Sequence, residues 1–328
     1  MGNPLGWSKH GIGYLIAAAC LIWVFHDVNW GELCHHLTAI NWGWVALALV
    51  ADVLSYISQG IRWKLLLRPT GKISNARSTQ AIYVGLFTNE VLPFRVGEVA
   101  RGYVVSRWLK TDFVRILPSI VVERLFDAFW LALAIAGAAI FVQLPKTLMR
   151  AADILGIFVL LAIGLLVFLV FRKKRIKSET ASGWKPIRLI STFISHLTDG
   201  VQEIGFSPLF FLALLVSSGF LIFQALAFWL IMVAYGLKLS LLKGFVVLLI
   251  VFLGIALPNA PSSIGTYQFF TVLGLGLFGV EKTVATGFSV IVFIILTAPM
   301  WALGLLALKQ SGMSLNGIRA NINKIRSH

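Results

Sequence analysis

The sequence predicts an all-α polytopic integral membrane protein, with about six full transmembrane helices and two oppositely oriented re-entrant helical hairpins that form an inverted repeat. Three observations lead there. Of 328 residues, 58% are apolar and only 12% charged, and the mean hydropathy is +0.87. That is more apolar surface than a soluble domain of this length can hide. The apolar sequence falls into blocks near the ~20 residues that a bilayer core requires. Two further blocks are interrupted at their middles by Pro and Gly: LFTNEVLPFRVGEVARGY at 86–103 and ALPNAPSSIGTYQFF at 256–270.

The six full spans are expected over 10–26, 42–62, 115–142, 152–171, 207–234 and 283–308. Ala17-Ala18-Ala19-Cys20 faintly echoes a lipoprotein cleavage site, but apolar sequence continues through Phe25 and an uncleaved first span is the better reading. Loop 27–41 holds Asp27 and Glu32 without Lys or Arg, so it is placed outside. Arg62, Lys64, Arg68, Lys72 and Arg77 place loop 62–77 in the cytoplasm, as do Arg172 to Arg175 and the tail with Lys309, Arg319, Lys324 and Arg326. Arg107, Lys110 and Arg115 return the first interrupted block, 78–108, to the side where it began. Counting then forces the second, 240–279, to start and end outside. In this scheme Lys146, Arg150, Lys238, Lys243 and Lys282 lie outside, against the trend.

The resulting organisation is a single membrane domain over 1–328: a first half, 1–175, an amphipathic cytoplasmic interfacial helix within 176–206, and a second half, 207–328. Both termini face the cytoplasm, and the compartment is the cytoplasmic membrane. Trp42 and Trp44 suit the interface. The net charge of +15 is read as affinity for anionic inner-leaflet lipids, not nucleic acid, because the basic residues cluster between spans. Two cysteines give neither a disulfide framework nor a metal site, and Cys34-His35-His36 is too local to close one. No cofactor and no metal is expected.

The two interruptions share their spacing. Pro93 to Gly97 and Pro261 to Gly265 are offset by 168 residues, and each hairpin is followed by a full span. Equal spacing with opposite orientation is the trace of an inverted repeat. Non-helical backbone at membrane depth is tolerated only inside protein or beside water. Hairpins entering from opposite faces would therefore meet near the midplane, with their second helices starting at Gly97 and Gly265. Helix N-termini favour anions, and Arg95 and Arg101 would add guanidinium groups suited to phosphate.

Ionisable groups at membrane depth cost about 2.5–3.5 kcal/mol each on insertion scales, so they face partners or cavities. Glu90, Arg95, Glu98 and Arg101 surround the first interruption. Glu98 and Arg101 are three apart and can pair on a helix face. Glu123, Arg124 and Asp127 follow in the third span, where Arg124 can pair with either acid or with Glu98. These charges either bind substrate or lock hairpin to span. In the second interruption Asn259, Ser262, Ser263, Thr266, Tyr267 and Gln268 either bind a sugar or glycerol group or satisfy loop backbone. Gln224 is read as an interhelical hydrogen bond, and Asp52 as an intramembrane charge with no partner evident.

The run Asn89-Glu-Val-Leu-Pro-Phe-Arg-Val-Gly-Glu-Val-Ala-Arg101 resembles the signature of the flippase-like membrane domain associated with lysylphosphatidylglycerol synthases. Glu123 to Asp127 and Pro258 to Gly265 fall where that family has its other motifs. The resemblance covers essentially the whole chain. It implies movement of a lipid such as an aminoacylated phospholipid, a hopanoid-related lipid or a lipid-linked sugar, with Arg95, Glu98, Arg101, Glu123, Arg124 and Asp127 as the polar core. A stand-alone member without the soluble aminoacyl-transferase domain is expected, and Gln268 stands where the family often has Glu.

The expectation is thus a translocase for an anionic or phosphate-bearing lipid. Arg95, Gly97, Glu98, Arg101, Asn259, Gly265, Tyr267 and Gln268 would form the substrate site, and Glu90, Glu123, Arg124 and Asp127 a structural or coupling network. No residue is assigned a catalytic role. The alternatives are a non-catalytic partner of a lipid-modifying enzyme and an integral-membrane glycosyl or lipid transferase.

Overall fold

The computed structural model describes residues 4–31, 40–92, 96–143, 146–171, 195, 197–256 and 260–313. Among the described residues the longer α-helices run in the order α1 (Pro4–Phe25), α2 (Trp42–Leu66), α3 (Asn75–Val91), α4 (Gly97–Leu109), α5 (Leu117–Phe141), α6 (Lys146–Phe171), α7 (Pro208–Ala234), α8 (Leu241–Ala256), α9 (Thr266–Gly276) and α10 (Lys282–Gln310). Among the described residues five stretches are long and apolar enough to cross a membrane: Trp42–Leu66, Phe113–Phe141, Met149–Phe171, Pro208–Ala234 and Lys282–Gln310. Gly13–Phe25 and Leu241–Ala256 are shorter apolar helices.

Local chemistry starts these helices where the pattern asks for it. Asn41 accepts the Gly43 amide at 3.0 Å, Ser74 caps α3, and Ser207 caps α7 ahead of Pro208. Each side chain satisfies an amide that has no partner within its own helix. The second span runs four residues further than its apolar composition suggested, to Leu66, which brings Arg62 inside the helix.

Helices α2 and α7 form the centre as an antiparallel pair. The Asn41 amide donates to Ala234 O at 3.0 Å, Gln224 reaches Asp52, and Leu66 shares a cluster with Phe210. Against this pair each interrupted block folds back on itself. In the first, Gly85 lies against Gly97 and Arg101, Ala81 and Ile82 cluster with Val105, and Leu109 packs on Gly71. In the second, Gly254 meets Phe270, Gly274 meets Val247, and Lys243 sits 5.7 Å over the Phe278 ring. Both are helical hairpins whose ends return to the level where they began. The first is rooted beside the C-terminal end of α2 and the second beside that of α7. Because α2 and α7 are antiparallel, the hairpins point toward one another. Their tips touch, Ser262 Oγ donating to Glu90 O at 3.2 Å.

The repeat extends through four helices of each half. Trp42, Asn75, Gly97 and Leu117 open α2 to α5; Pro208, Leu241, Thr266 and Lys282 open α7 to α10, at offsets of 166, 166, 169 and 165 residues. Side-chain contacts obey it too. Shifting the Asp52–Gln224 pair by the 168 residues between Gly97 and Gly265 gives Phe220 and Tyr56, whose rings lie 6.4 Å apart. The pseudo-twofold axis therefore passes between these two contacts.

Lys72, Arg77, Lys110 and Arg115 fall at one end of the bundle, with Lys309 close by, as Gln80 bonds Ala307 O. Lys282 at the other end donates to His26 O at 2.8 Å and lies over Trp23. Lys282 and Lys243 are thus held against carbonyl or aromatic faces. Most of the expected interfacial helix, and the whole 172–188 basic block, lie outside the described residues. Residues 197–204 are helical, with Val201 and Ile204 packed in a cluster with Leu66 and Phe126.

Candidate functional site

Two polar clusters interrupt the apolar interior. The first begins with Arg62, one turn before α2 ends, where it is 1% exposed. Its two terminal nitrogens divide between two acids one turn apart on α5: Nη2 donates to Glu123 Oε1 and Nη1 to Asp127 Oδ1. Glu123 is wholly buried and takes a second cation, Arg101 of α4, with Nη1 2.9 Å from Oε2. Arg101 lies over the Trp63 ring at 4.5 Å. The Trp63 indole N–H is anchored on Ser119 Oγ at 3.0 Å. Toward the surface, Arg124 donates to Asp127 Oδ2 at 3.2 Å and Glu98 Oε1 at 2.9 Å.

The result is a chain of alternating sign, Glu98–Arg124–Asp127–Arg62–Glu123–Arg101, linking α4, α5 and α2. Three cations balance three anions, which is how charges persist in such surroundings. Its inner arm around Glu123 is sealed, whereas the Arg124 side chain at the outer arm is 52% exposed.

Sequence reasoning named five of these six residues but missed Arg62, which it placed in a cytoplasmic loop. It also paired Glu98 with Arg101; in the structure each takes a different partner on α5. Three carboxylates, Glu98, Glu123 and Asp127, needed one more cation than Arg101 and Arg124 supply, and Arg62-Trp63 at the end of an unbroken apolar run was the signal available.

The second cluster lies at the molecular centre. Gln224 Nε2 donates to Asp52 Oδ1 at 2.8 Å and to Ser55 Oγ at 2.7 Å, the interhelical bond expected of it, and it names the missing partner of Asp52. Tyr56 stands one turn along α2, 5.6 Å edge-on from Tyr83 of α3. The Asp52 charge acts on Tyr56, Tyr83 and Tyr267 alike. The hydroxyls of Tyr83 and Tyr267 are buried without a hydrogen-bond partner among the described residues.

At the hairpin tips, Arg95, Pro93, Pro258 and Asn259 lie outside the described residues. Gly97 N donates to Asn89 Oδ1 at 2.6 Å, and Gly265 N to Gln268 Oε1 at 2.8 Å. One amide at the start of each second helix is thus satisfied internally, and Gln268 serves as a cap. The close approach that glycine permits is also taken: a Cβ on Gly97 would lie 2.0 Å from Gly85 O, and one on Gly265, where φ is +85°, 2.5 Å from Ala17 O. Among the described residues no group of three or more His, Cys, Asp or Glu is arranged to hold a metal ion.

Inverted helical repeats, long apolar helices and a buried chain of paired charges define a polytopic helical membrane protein. Residues 12–304 match the family described as the lysylphosphatidylglycerol synthase TM region, and the chain belongs to that family. It is similar to the UPF0104 membrane protein MJ1595 of Methanocaldococcus jannaschii, 23% identical over 304 residues, covering 87% of this chain and 89% of the relative. A stretch of 96 residues is 38% identical to the glycosyltransferase AglD of Haloferax volcanii, covering 29% of this chain and 15% of that protein.

Proposed function

We propose that the protein translocates a phosphate-bearing lipid across the cytoplasmic membrane, its head group passing along the seam between the two hairpins while the acyl chains stay in lipid. The observation that carries this reading is the meeting of two oppositely rooted hairpins, Ser262 against Glu90. Polar groups near the two tips, Glu90 and Glu98 in the first hairpin and Thr266 to Gln268 in the second, would then meet a head group midway between the roots. Arg95 and Asn259, by their place in sequence between the paired helices, would contact the head group first. Arg124 is the arginine best placed to exchange partners, since its carboxylates are on the exposed arm of the ion chain and a phosphate can replace one of them bidentately. Arg101, clamped between Glu123 and Trp63, would hold hairpin to span. The basic end would face the cytoplasm.

The test is reconstitution into phosphatidylcholine vesicles holding a trace of fluorescently labelled phosphatidylglycerol, with quenching by an impermeant reductant. Wild-type protein should expose inner-leaflet label to the reductant, and Arg95→Ala and Glu98→Ala should each slow that exposure about tenfold or more. Rates equal to those of protein-free vesicles, or unchanged in both variants, would remove the proposal.

A second reading rests on the segment shared with a protein named as a glycosyltransferase: a membrane partner for a lipid-modifying enzyme. Copurification with one such enzyme, with no lipid movement by the isolated protein, would favour it.

A further inference from the structure

The 168-residue shift carries Asp52 to Phe220, so its carboxyl has no acidic counterpart in the other repeat. The contact pair Asp52–Gln224 and its image Tyr56–Phe220 bracket the pseudo-twofold axis, which in an inverted repeat lies in the membrane plane. The carboxyl is therefore within about one helical turn of mid-depth, and Asp52 is 1% exposed.

A carboxylate at that depth needs a cation or a proton. The neighbouring elements supply no cation among the described residues. On its own helix the nearest ionisable group is Tyr56. From α3 come Tyr83 and Glu90, from α9 Tyr267, and from α7 the neutral Gln224. Helix α10 has no Asp, Glu, Lys, Arg or His between Lys282 and Lys309. On α5, Glu123, Arg124 and Asp127 are committed to Arg62, Arg101 and Glu98. Gln224 presents its amide N–H to Asp52 Oδ1, a donor where a bound metal cation would require an oxygen. A proton on the other carboxyl oxygen fits beside that donor. The Tyr83 hydroxyl, on a side chain only 7% exposed, has no partner among the described residues and feels the Asp52 charge. The Tyr83 ring packs 5.6 Å edge-on from Tyr56, one turn along α2 from Asp52, and leaves the hydroxyl free to bond a water that relays a proton toward the acid.

We propose that Asp52 is a reversible proton-binding site at the centre of the bundle, reached past Tyr56 and Tyr83, through which a transmembrane pH gradient acts on lipid movement. Hydronium on one side gives its proton to the carboxylate, forming the neutral acid. The acid returns it to water on the other side, and no other bond changes. The last clause of the proposal rests on the translocation reading; the proton site does not.

The experiment is infrared difference spectroscopy of the full chain in phosphatidylcholine nanodiscs, between acid and alkaline buffer, with carboxyl-labelled aspartate. A protonated-carboxyl carbonyl band should appear as pH falls, shift with the isotope, and vanish in Asp52→Asn, whose side-chain carbonyl can still accept from Gln224. The isotope shift reads aspartate in wild-type protein, so a poorly folding variant does not decide the matter. Absence of an isotope-sensitive band would overturn the proposal, as would its persistence in folded Asp52→Asn or its removal by sodium at fixed pH. In vesicles with labelled phosphatidylglycerol, an imposed pH gradient should change the wild-type rate severalfold and leave Asp52→Asn unaffected. A wild-type rate indifferent to the gradient overturns the coupling. No lipid movement at all overturns the translocation reading, while the carbonyl band still decides the proton site.

Discussion

Gln224 and Asp52 meet across the central helix pair at 2.8 Å, and the same relation recurs with the helices exchanged at Tyr56 and Phe220. The polar contact is the costlier of the two to lose. Gln224→Leu leaves Asp52 Oδ1 and Ser55 Oγ without their donor, a loss of about 1–3 kcal/mol. Phe220→Leu gives up an aromatic contact of about 0.5–1.5 kcal/mol. Thermal unfolding in detergent should rank the two in that order.

Arg62 bonds two carboxylates at once, so Arg62→Ala leaves Glu98, Glu123 and Asp127 with only Arg101 and Arg124, one buried negative charge in excess, and should cost about 3–5 kcal/mol. The exposed Arg124 is a different case, and Arg124→Ala should cost at most about 1 kcal/mol. Comparing the melting of both variants with wild type checks this. Equal losses would mean that the inner arm of the chain is no more buried than the outer.

Glycine at 97 is required by packing, since any Cβ meets Gly85 O and Asn89. Gly97→Ala should splay the first hairpin, lowering stability by about 1–3 kcal/mol or more and making Asn89→Cys reactive to a maleimide. Gly137, with nothing within 4 Å of its would-be Cβ, is the control. Gly137→Ala should change stability by about 1 kcal/mol at most, in the favourable direction.

The two hairpins are rooted at opposite ends, which fixes the sidedness of the loops beside them. In a background lacking Cys20 and Cys34, Lys72→Cys and Lys110→Cys should react with an impermeant maleimide from one side of sealed vesicles. Asp27→Cys and Lys238→Cys should react only from the other. Mixed sidedness within either pair would break the topology.

Much of the fold was legible because membrane insertion writes it into short-range sequence. Apolar length marks the spans, and the matched Pro93–Gly97 and Pro261–Gly265 spacing marks the hairpins and their repeat. The site was less so. Arg62 sits where a charge count alone assigns a cytoplasmic loop, and its burial is decided by Glu123 and Asp127, 61 and 65 residues away. Helical spacing put Glu98 and Arg101 together, yet each turns to the neighbouring helix, where an opposite charge is already held in place. Likewise Gly265 and Gln268 read as open to a ligand until α1 is laid across Gly265 and Gln268 closes on its amide.

The contact between hairpin tips can be locked directly. With Glu90→Cys and Ser262→Cys in a background free of Cys20 and Cys34, oxidation should join the tips. Movement of labelled phosphatidylglycerol in proteoliposomes should then stop and return on reduction. A cross-linked protein that moves lipid at the full wild-type rate would contradict passage along that seam.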